Sequence, residues 1–149
     1  MAHEESPKLS TNVEMYLETI YNLTEEGGSA KTTEIASSWD VSPASATEMV
    51  QKLSKMGLVD YKPYHGAKLS PDGLRAARQV IRKHRLLERF LHEIVGMEDE
   101  ERIHDVACEM EHTLSPEVEA WIDGELDHPR EGLNGKPIPP PLPRDEGGD

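Results

Sequence analysis

Six residues in this chain have side chains that bind transition metals and spacings that bring them together: His84, Glu88, His104, Cys108, Glu111 and His112. Residues four apart on a helix stand one above the other. His84 and Glu88 therefore share one face, and His104, Cys108 and His112 share another, with Glu111 beside them. Neutral imidazole, thiolate and carboxylate together bind Fe(II), Co(II), Ni(II), Zn(II) and Mn(II). One helix cannot close a coordination sphere. Cys108, Glu111 and His112 leave room for outside ligands, and Met15 is a candidate, as a soft thioether on a face that also carries Glu18. His84, Glu88 and His104 make a second natural cluster. Paired close cysteines or histidines of the zinc-finger kind are absent.

Each of these residues alone has an ordinary reading. A single histidine is commonly a half-exposed polar group, a single cysteine a small buried hydrophobe, a methionine a core filler and a glutamate a solvated helix charge. Their alignment on adjacent helix faces favours metal. Cys108 with His112 one turn on also matches a thiol nucleophile and its base. No glycine-rich oxyanion loop accompanies them, so no catalytic residue is expected.

The elements that must position these groups follow from periodicity and caps. Residues 9–25 carry Val13, Leu17, Ile20 and Leu23 at helical spacing, with Ser10, Thr11 or Asn12 able to cap the start and Gly27-Gly28 to end it. A short helix follows over Thr32–Trp39. Asp40-Val41-Ser42-Pro43 is a turn, with Ser42 a good N-cap and Pro43 at the favoured first position of a third helix over about 43–56. Leu58–Lys62 and Ala67–Leu69, around Pro63-Tyr64-His65-Gly66, read as a hairpin. A long helix runs from Ser70-Pro71 to about Val95, another over Asp99–Leu114, and a last one from Ser115-Pro116 to about Leu126. The tail from His128, rich in Pro and Gly, is expected to be extended or disordered. The fold class is thus mostly α, with a winged helix-turn-helix over 1–72, an all-α domain over 73–127 that carries the ligand-type residues and a tail over 128–149.

The chain is acidic, with 29 Asp and Glu against 16 Lys and Arg and a net charge of −13, which at first sight disfavours nucleic acid. The acid is unevenly placed: residues 1–68 carry −4, residues 69–95 carry +3 and residues 96–149 carry −12. Such a surface also suits a salt-rich cytoplasm. One cysteine excludes an internal disulfide and fits a reducing compartment. No apolar run of membrane-spanning length occurs, and the polar N-terminus has no signal core, so a cytoplasmic protein is expected.

Helix, turn, helix and hairpin in that order describe a winged helix, whose third helix enters the major groove. Its exposed N-terminal residues are Ser42, Pro43, Ala44, Ser45, Thr47 and Glu48. Small hydroxyl residues contact phosphate, Ala44 can meet a thymine methyl and Glu48 can accept from cytosine. Thr32 and Thr33 at the start of the second helix, His65 on the wing, and Lys52, Lys55, Lys62 and Lys68 complete the candidate surface, the lysines neutralising phosphates.

NVEMYLETIYNL, the helix-turn-helix ending KMGLV, RKHRLLERFL and HDVACEMEHTLS resemble the diphtheria toxin repressor family of metal-dependent transcription regulators, over about residues 9–140. The resemblance includes both iron-dependent and manganese regulators. It implies a repressor that binds double-stranded operator DNA as a homodimer, with no membrane and no small organic substrate. It implies one metal site from Met15, Cys108, Glu111 and His112 and a second from His84, Glu88 and His104. Glu18 matches a ligand position of manganese-type members, whereas Met15 and Cys108 match iron-type members. Soft sulfur suits Fe(II) and disfavours Mn(II), so Fe2+ is the expected cofactor. Glu48 stands where iron-type members carry an amide, and the chain resembles a two-domain form without the β-barrel domain of larger members. Leu87, Leu91, Ile94, Val95 and Val106 are expected at the dimer interface.

Overall fold

A computed structural model describes residues 9–142. Residues 1–8 of the expected DNA-binding domain and 143–149 of the expected tail lie outside the described residues. The chain divides into two compact units, Met1–Ala77 and Arg78–Asp149. The division falls later than the expected boundary after residue 72, and the described residues of the expected tail, 128–142, fall in the second unit. No helix among the described residues is long and apolar enough to cross a membrane.

The first unit opens with α1 (Thr11–Thr24), capped by Ser10, whose Oγ accepts from the Val13 N–H at 3.2 Å. Val13, Leu17 and Ile20 recur on one face and are buried. Helix α2 (Thr32–Trp39) ends at Asp40 in the left-handed conformation (φ 52°), which turns the chain sharply. Helix α3 (Pro43–Lys55) starts on Ser42, whose Oγ accepts from the Ser45 N–H at 3.1 Å, with Pro43 at its first position. It buries Ala46, Val50 and Leu53 in the core that also holds Leu17, Ile20 and Ile35. Full burial of each such aliphatic side chain contributes about 1.5–3 kcal/mol, so Leu53→Ala is expected to cost about 3 kcal/mol.

Strands β1 (Val59–Lys62) and β2 (Gly66–Leu69) pair antiparallel in the register Val59–Leu69 and Asp60–Lys68. Val59 and Ala67 face the core while Asp60 and Lys68 face out, as the alternation requires. Ala30, just before α2, exchanges backbone hydrogen bonds with Ala67 at 2.8 and 2.9 Å and ties the wing to the helices. That approach needs Gly66: its φ is +91°, and a Cβ there would lie 2.6 Å from the Ala30 carbonyl oxygen.

Helix α4 (Pro71–Phe90) runs from the first unit into the second and continues as a π-helical turn (Leu91–Val95) that stops at Gly96. Helices α5 (Glu100–Glu111) and α6 (Pro116–Glu125) follow, each opened by a side-chain cap from Asp99 or Ser115. Leu86, Leu87, Leu91, Ile103, Ala107, Ile122 and Ile138 form the second core. Leu87 and Leu91 are therefore not interface residues as expected. Leu87 on α4 and Leu91 at the start of the π turn are both buried, whereas Ile94 and Val95 at the end of that turn are exposed.

The tail also differs from expectation. Residues 130–138 fold back on themselves, with the Ile138 N–H donating to Arg130 O and the Gly132 N–H to Lys136 O, each at 2.8 Å. Ile138 enters the core. Arg82, Arg85 and Arg89, one stripe of α4, donate to the carbonyls of Pro139 (3.1 Å), Pro137 (2.5 Å) and Glu131 (2.7 Å). A proline-rich segment offers carbonyl acceptors but few N–H donors, and the guanidinium groups match that shortage. Arg82 is itself buried and paired with Glu119 at 2.7 Å.

Candidate metal centre and nucleic-acid surface

Within the second unit α4 and α5 bring all six ligand-type residues into one continuous cluster. His84 is its centre. Its Nδ1 lies 2.5 Å from Glu111 Oε1 and 4.0 Å from Cys108 Sγ, while its Nε2 lies 3.3 Å from Glu88 Oε2. His104 joins the other side, with Nδ1 3.5 Å from Glu88 Oε2 and Nε2 3.5 Å from Cys108 Sγ. The His84 and His104 rings meet edge to face at 4.9 Å. His112, the residue that caps α5, places Nε2 3.4 Å from Glu111 Oε2. One ligand atom from each of His84, His104 and Cys108 can be chosen so that all lie within 4.8 Å of one another.

The electrostatics of this cluster call for a cation. Glu111 is 1% exposed, and its Oε2 has no hydrogen-bond partner. A buried ionised carboxylate is strongly disfavoured unless positive charge or donors surround it. Burial works against charge on His84, yet its hydrogen bonds with Cys108, Glu111 and Glu88 prevail, and its pKa is pushed up to about 12. Burial alone would raise the Glu88 pKa, but the His84 hydrogen bond and charge, followed by the charge of His104, hold it below the usual carboxylate range. A proton on His84 thus serves as the cation of the metal-free cluster. Ligation through His84 requires that proton to leave. Two imidazoles, a thiol and a carboxylate oxygen without a donor form a set that fits a divalent transition ion.

Met15 and Glu18 lie on α1 in the first unit, one helical turn apart, with Met15 half-buried and Glu18 buried. Sequence reasoning missed the buried Arg82 and Arg85 on either side of His84 in α4. Their signal was the arginine stripe at positions 82, 85 and 89 ahead of an acceptor-rich tail.

The DNA-surface candidates are gathered on α2, α3 and the wing. Pro43, Ala44, Glu48, Lys52 and Lys55 are exposed along α3, with Thr47 half-buried. Ser42 and Ser45 are exposed too, but their hydroxyls bond each other at 3.0 Å as part of the helix cap. Thr32 is half-buried and Thr33 exposed. Glu34 turns its carboxylate back to the Lys31 N–H at 2.9 Å, which draws it toward its own helix end. On the wing, His65, Lys62 and Lys68 line an open groove of about 650 Å³ with Ser29, Asp60 and Gly66. Tyr64, at the tip with φ 71°, is fully exposed and was not among the sequence candidates, although the Pro-Tyr-His-Gly turn marks it as a tip residue.

Comparison with known proteins agrees with this division of labour. Residues 8–67 match the family described as iron dependent repressor, N-terminal DNA binding domain, and residues 70–140 match iron dependent repressor, metal binding and dimerisation domain. The chain is 39% identical over 131 residues to the diphtheria toxin repressor of Corynebacterium glutamicum, covering 88% of this chain and 57% of that one. It thus spans little more than half of that relative. It is 44% identical over 104 residues to the HTH-type transcriptional regulator MntR of Oceanobacillus iheyensis, covering 70% of this chain and 69% of the relative. A solved manganese-dependent transcriptional repressor in complex with manganese superposes with a TM-score of 0.76 at 34% identity, over 89% of this chain and 63% of that one. The chain belongs to the iron-dependent repressor family.

Proposed function

We propose that this protein is a cytoplasmic metal-responsive transcriptional repressor that binds double-stranded operator DNA as a homodimer, with Fe(II) as its cofactor. The observation that carries the reading is the buried His84–Glu111–Cys108 cluster in a chain whose other unit exposes a helix-turn-helix and wing. In this reading Cys108, Glu111 and His112 hold the ion together with Met15 of α1, and His84, Glu88 and His104 form the adjoining site. A bound divalent cation would supply the positive charge that Glu88 and Glu111 draw from protonated His84 in the metal-free protein. Met15 is the consequential ligand, because α1 also packs Leu17 and Ile20 into the core that seats α3. Engagement of Met15 restrains α1 and with it the recognition helix. The second unit contributes the exposed apolar residues Ile94, Val95, Val118 and Trp121 to a two-fold interface. Pairing two α3 helices in this way matches a palindromic operator. The coupling works only if the ion prefers the DNA-competent arrangement, and a coupling of about 1–3 kcal/mol is ordinary.

The sulfur donors of Met15 and Cys108 support iron. A manganese reading is supported by Glu18, a buried carboxylate one turn from Met15, and by the manganese-dependent relatives. Operator binding measured with Fe(II), with Mn(II) and without metal tests both. Equal affinity in all three conditions would remove metal control altogether. The pair Met15→Asp with Cys108→Glu is expected to move the preference toward Mn(II), and an unchanged preference would remove the sulfur argument.

A further inference from the structure

A hydrogen bond joins α2 to α1 and continues in series into a second one within α1. The Trp39 indole N–H donates to Thr19 Oγ1 at 2.9 Å, and the Thr19 hydroxyl donates to the Met15 backbone carbonyl at 3.0 Å. The polarity of this chain is fixed, because an indole N–H only donates and a hydroxyl has one proton to give. Trp39 is the last residue of α2, immediately before the left-handed Asp40 and the Ser42 cap of α3. Its ring also packs against Tyr16 of α1, with centroids 6.0 Å apart. Met15, the proposed thioether ligand, therefore has its backbone carbonyl at one end of a relay whose other end is the hinge of the helix-turn-helix.

We propose that Trp39, acting through Thr19, is a positioning residue that transmits the state of the Met15 turn of α1 to the turn preceding α3. The inference rests on Met15 as a metal ligand. A hydroxyl bonded back to the carbonyl four residues earlier bends a helix slightly, so the shape of the Met15–Thr19 turn depends on whether this bond is made. Bonds in series also polarise and strengthen one another. A shift of the Met15 turn must then either break the relay or carry Trp39 with it. Trp39 is joined directly to Asp40, so a displacement of its backbone is passed to the turn before α3.

The test uses the full chain and a duplex selected by the wild-type protein from a random pool in the presence of Zn2+. The measured quantity is the ratio of duplex affinity with Zn2+ to affinity without metal. Trp39→Phe removes the donor and keeps a ring on Tyr16, while Thr19→Val removes the hydroxyl and keeps the shape. Each is expected to lower the ratio about two- to ten-fold, the range one neutral hydrogen bond supplies. The two losses should not add, because they interrupt one relay, and Thr19→Ser should restore the ratio. A ratio unchanged in either variant, or a loss in Trp39→Phe that Thr19→Val does not share, overturns the relay, the second result assigning the effect to ring packing. The indole N–H resonance of Trp39, identified by its absence in Trp39→Phe, is the independent readout. It should move when Zn2+ is added to the wild-type protein and stay fixed in Thr19→Val. If wild-type duplex binding shows no metal dependence, the repressor reading fails. The resonance then decides the relay alone: a metal-induced shift upholds it and a fixed resonance overturns it.

Discussion

In the second unit the functional side chains meet one another, whereas in the first they meet solvent. His84 alone touches Glu88, Cys108 and Glu111, and Glu111 is completely enclosed. Ala44, Glu48, Lys52 and Lys68 each stand exposed. The difference is one of desolvation. Charged and ligand-type groups removed from water must be paired to persist, so these side chains already hold one another in place. Groups awaiting DNA stay hydrated and gain partners only on binding. Changes in the cluster should therefore alter both stability and function, while changes on the DNA face should alter function alone.

The largest effect is expected from Glu111→Ala. It strips a buried imidazolium of its shortest contact, and urea denaturation of the metal-free protein should show a loss of about 3 kcal/mol. A loss below about 1 kcal/mol would mean that the cluster is not closed as described. Cys108→Ala comes next. It should lower the urea midpoint by less than Glu111→Ala does, but weaken Zn2+ or Fe(II) binding by about a hundred-fold, as titration against a chelator would show. Undiminished binding would reduce Cys108 to a packing residue.

The pH dependence of the metal-free protein sharpens the contrast further. The His84 pKa is raised from 6.5 to about 12 in the folded state. Its contribution to stability is thus fully present below pH 6.5 and is lost as pH rises toward about 12. Glu88 is lowered from 4.5, so its contribution is present above pH 4.5 and is lost as pH falls through its folded value. Melting temperatures should decline from near neutrality upward, and His84→Gln should flatten that limb. Metal affinity should move the other way and rise with pH as the His84 proton becomes easier to displace. The smallest effect on stability belongs to Lys52→Ala and Lys68→Ala, within about 0.5 kcal/mol. Each should still reduce DNA affinity across all sequences and lower the salt slope by about 0.9 for each phosphate no longer neutralised. A sequence-dependent loss would instead make that lysine a base reader.

Much of this was legible in the sequence because the signals were local. Ser42-Pro43 is an N-cap followed by a favoured first residue, and α3 begins there. The bounds of Thr32–Trp39 are legible because the Asp40-Val41-Ser42-Pro43 turn follows, and Asp40 does end the helix in the left-handed conformation. The alignment of His84 with Glu88, and of His104 with Cys108, follows from helical geometry alone. That His84 also reaches Glu111 does not, because the contact spans two helices and depends on how they pack. The order of the tail was hidden for a similar reason. Pro137 and Pro139 read as extended chain until three arginines on α4 are seen to bond carbonyls in that segment. Leu87 and Leu91 are expected at the dimer interface, yet they are buried within this chain, because periodicity marks an apolar face without saying whether the same chain or a second copy covers it.

The central claim is that ion binding at this cluster and duplex binding are one linked equilibrium. The direct measurement is duplex affinity across a titration of Fe(II) under anaerobic conditions, for the wild-type protein and for Cys108→Ala. The account predicts that Fe(II) tightens wild-type binding by about five- to 150-fold and leaves Cys108→Ala near its metal-free affinity. Equal affinity with and without metal in the wild-type protein, or full activation of Cys108→Ala, would contradict it.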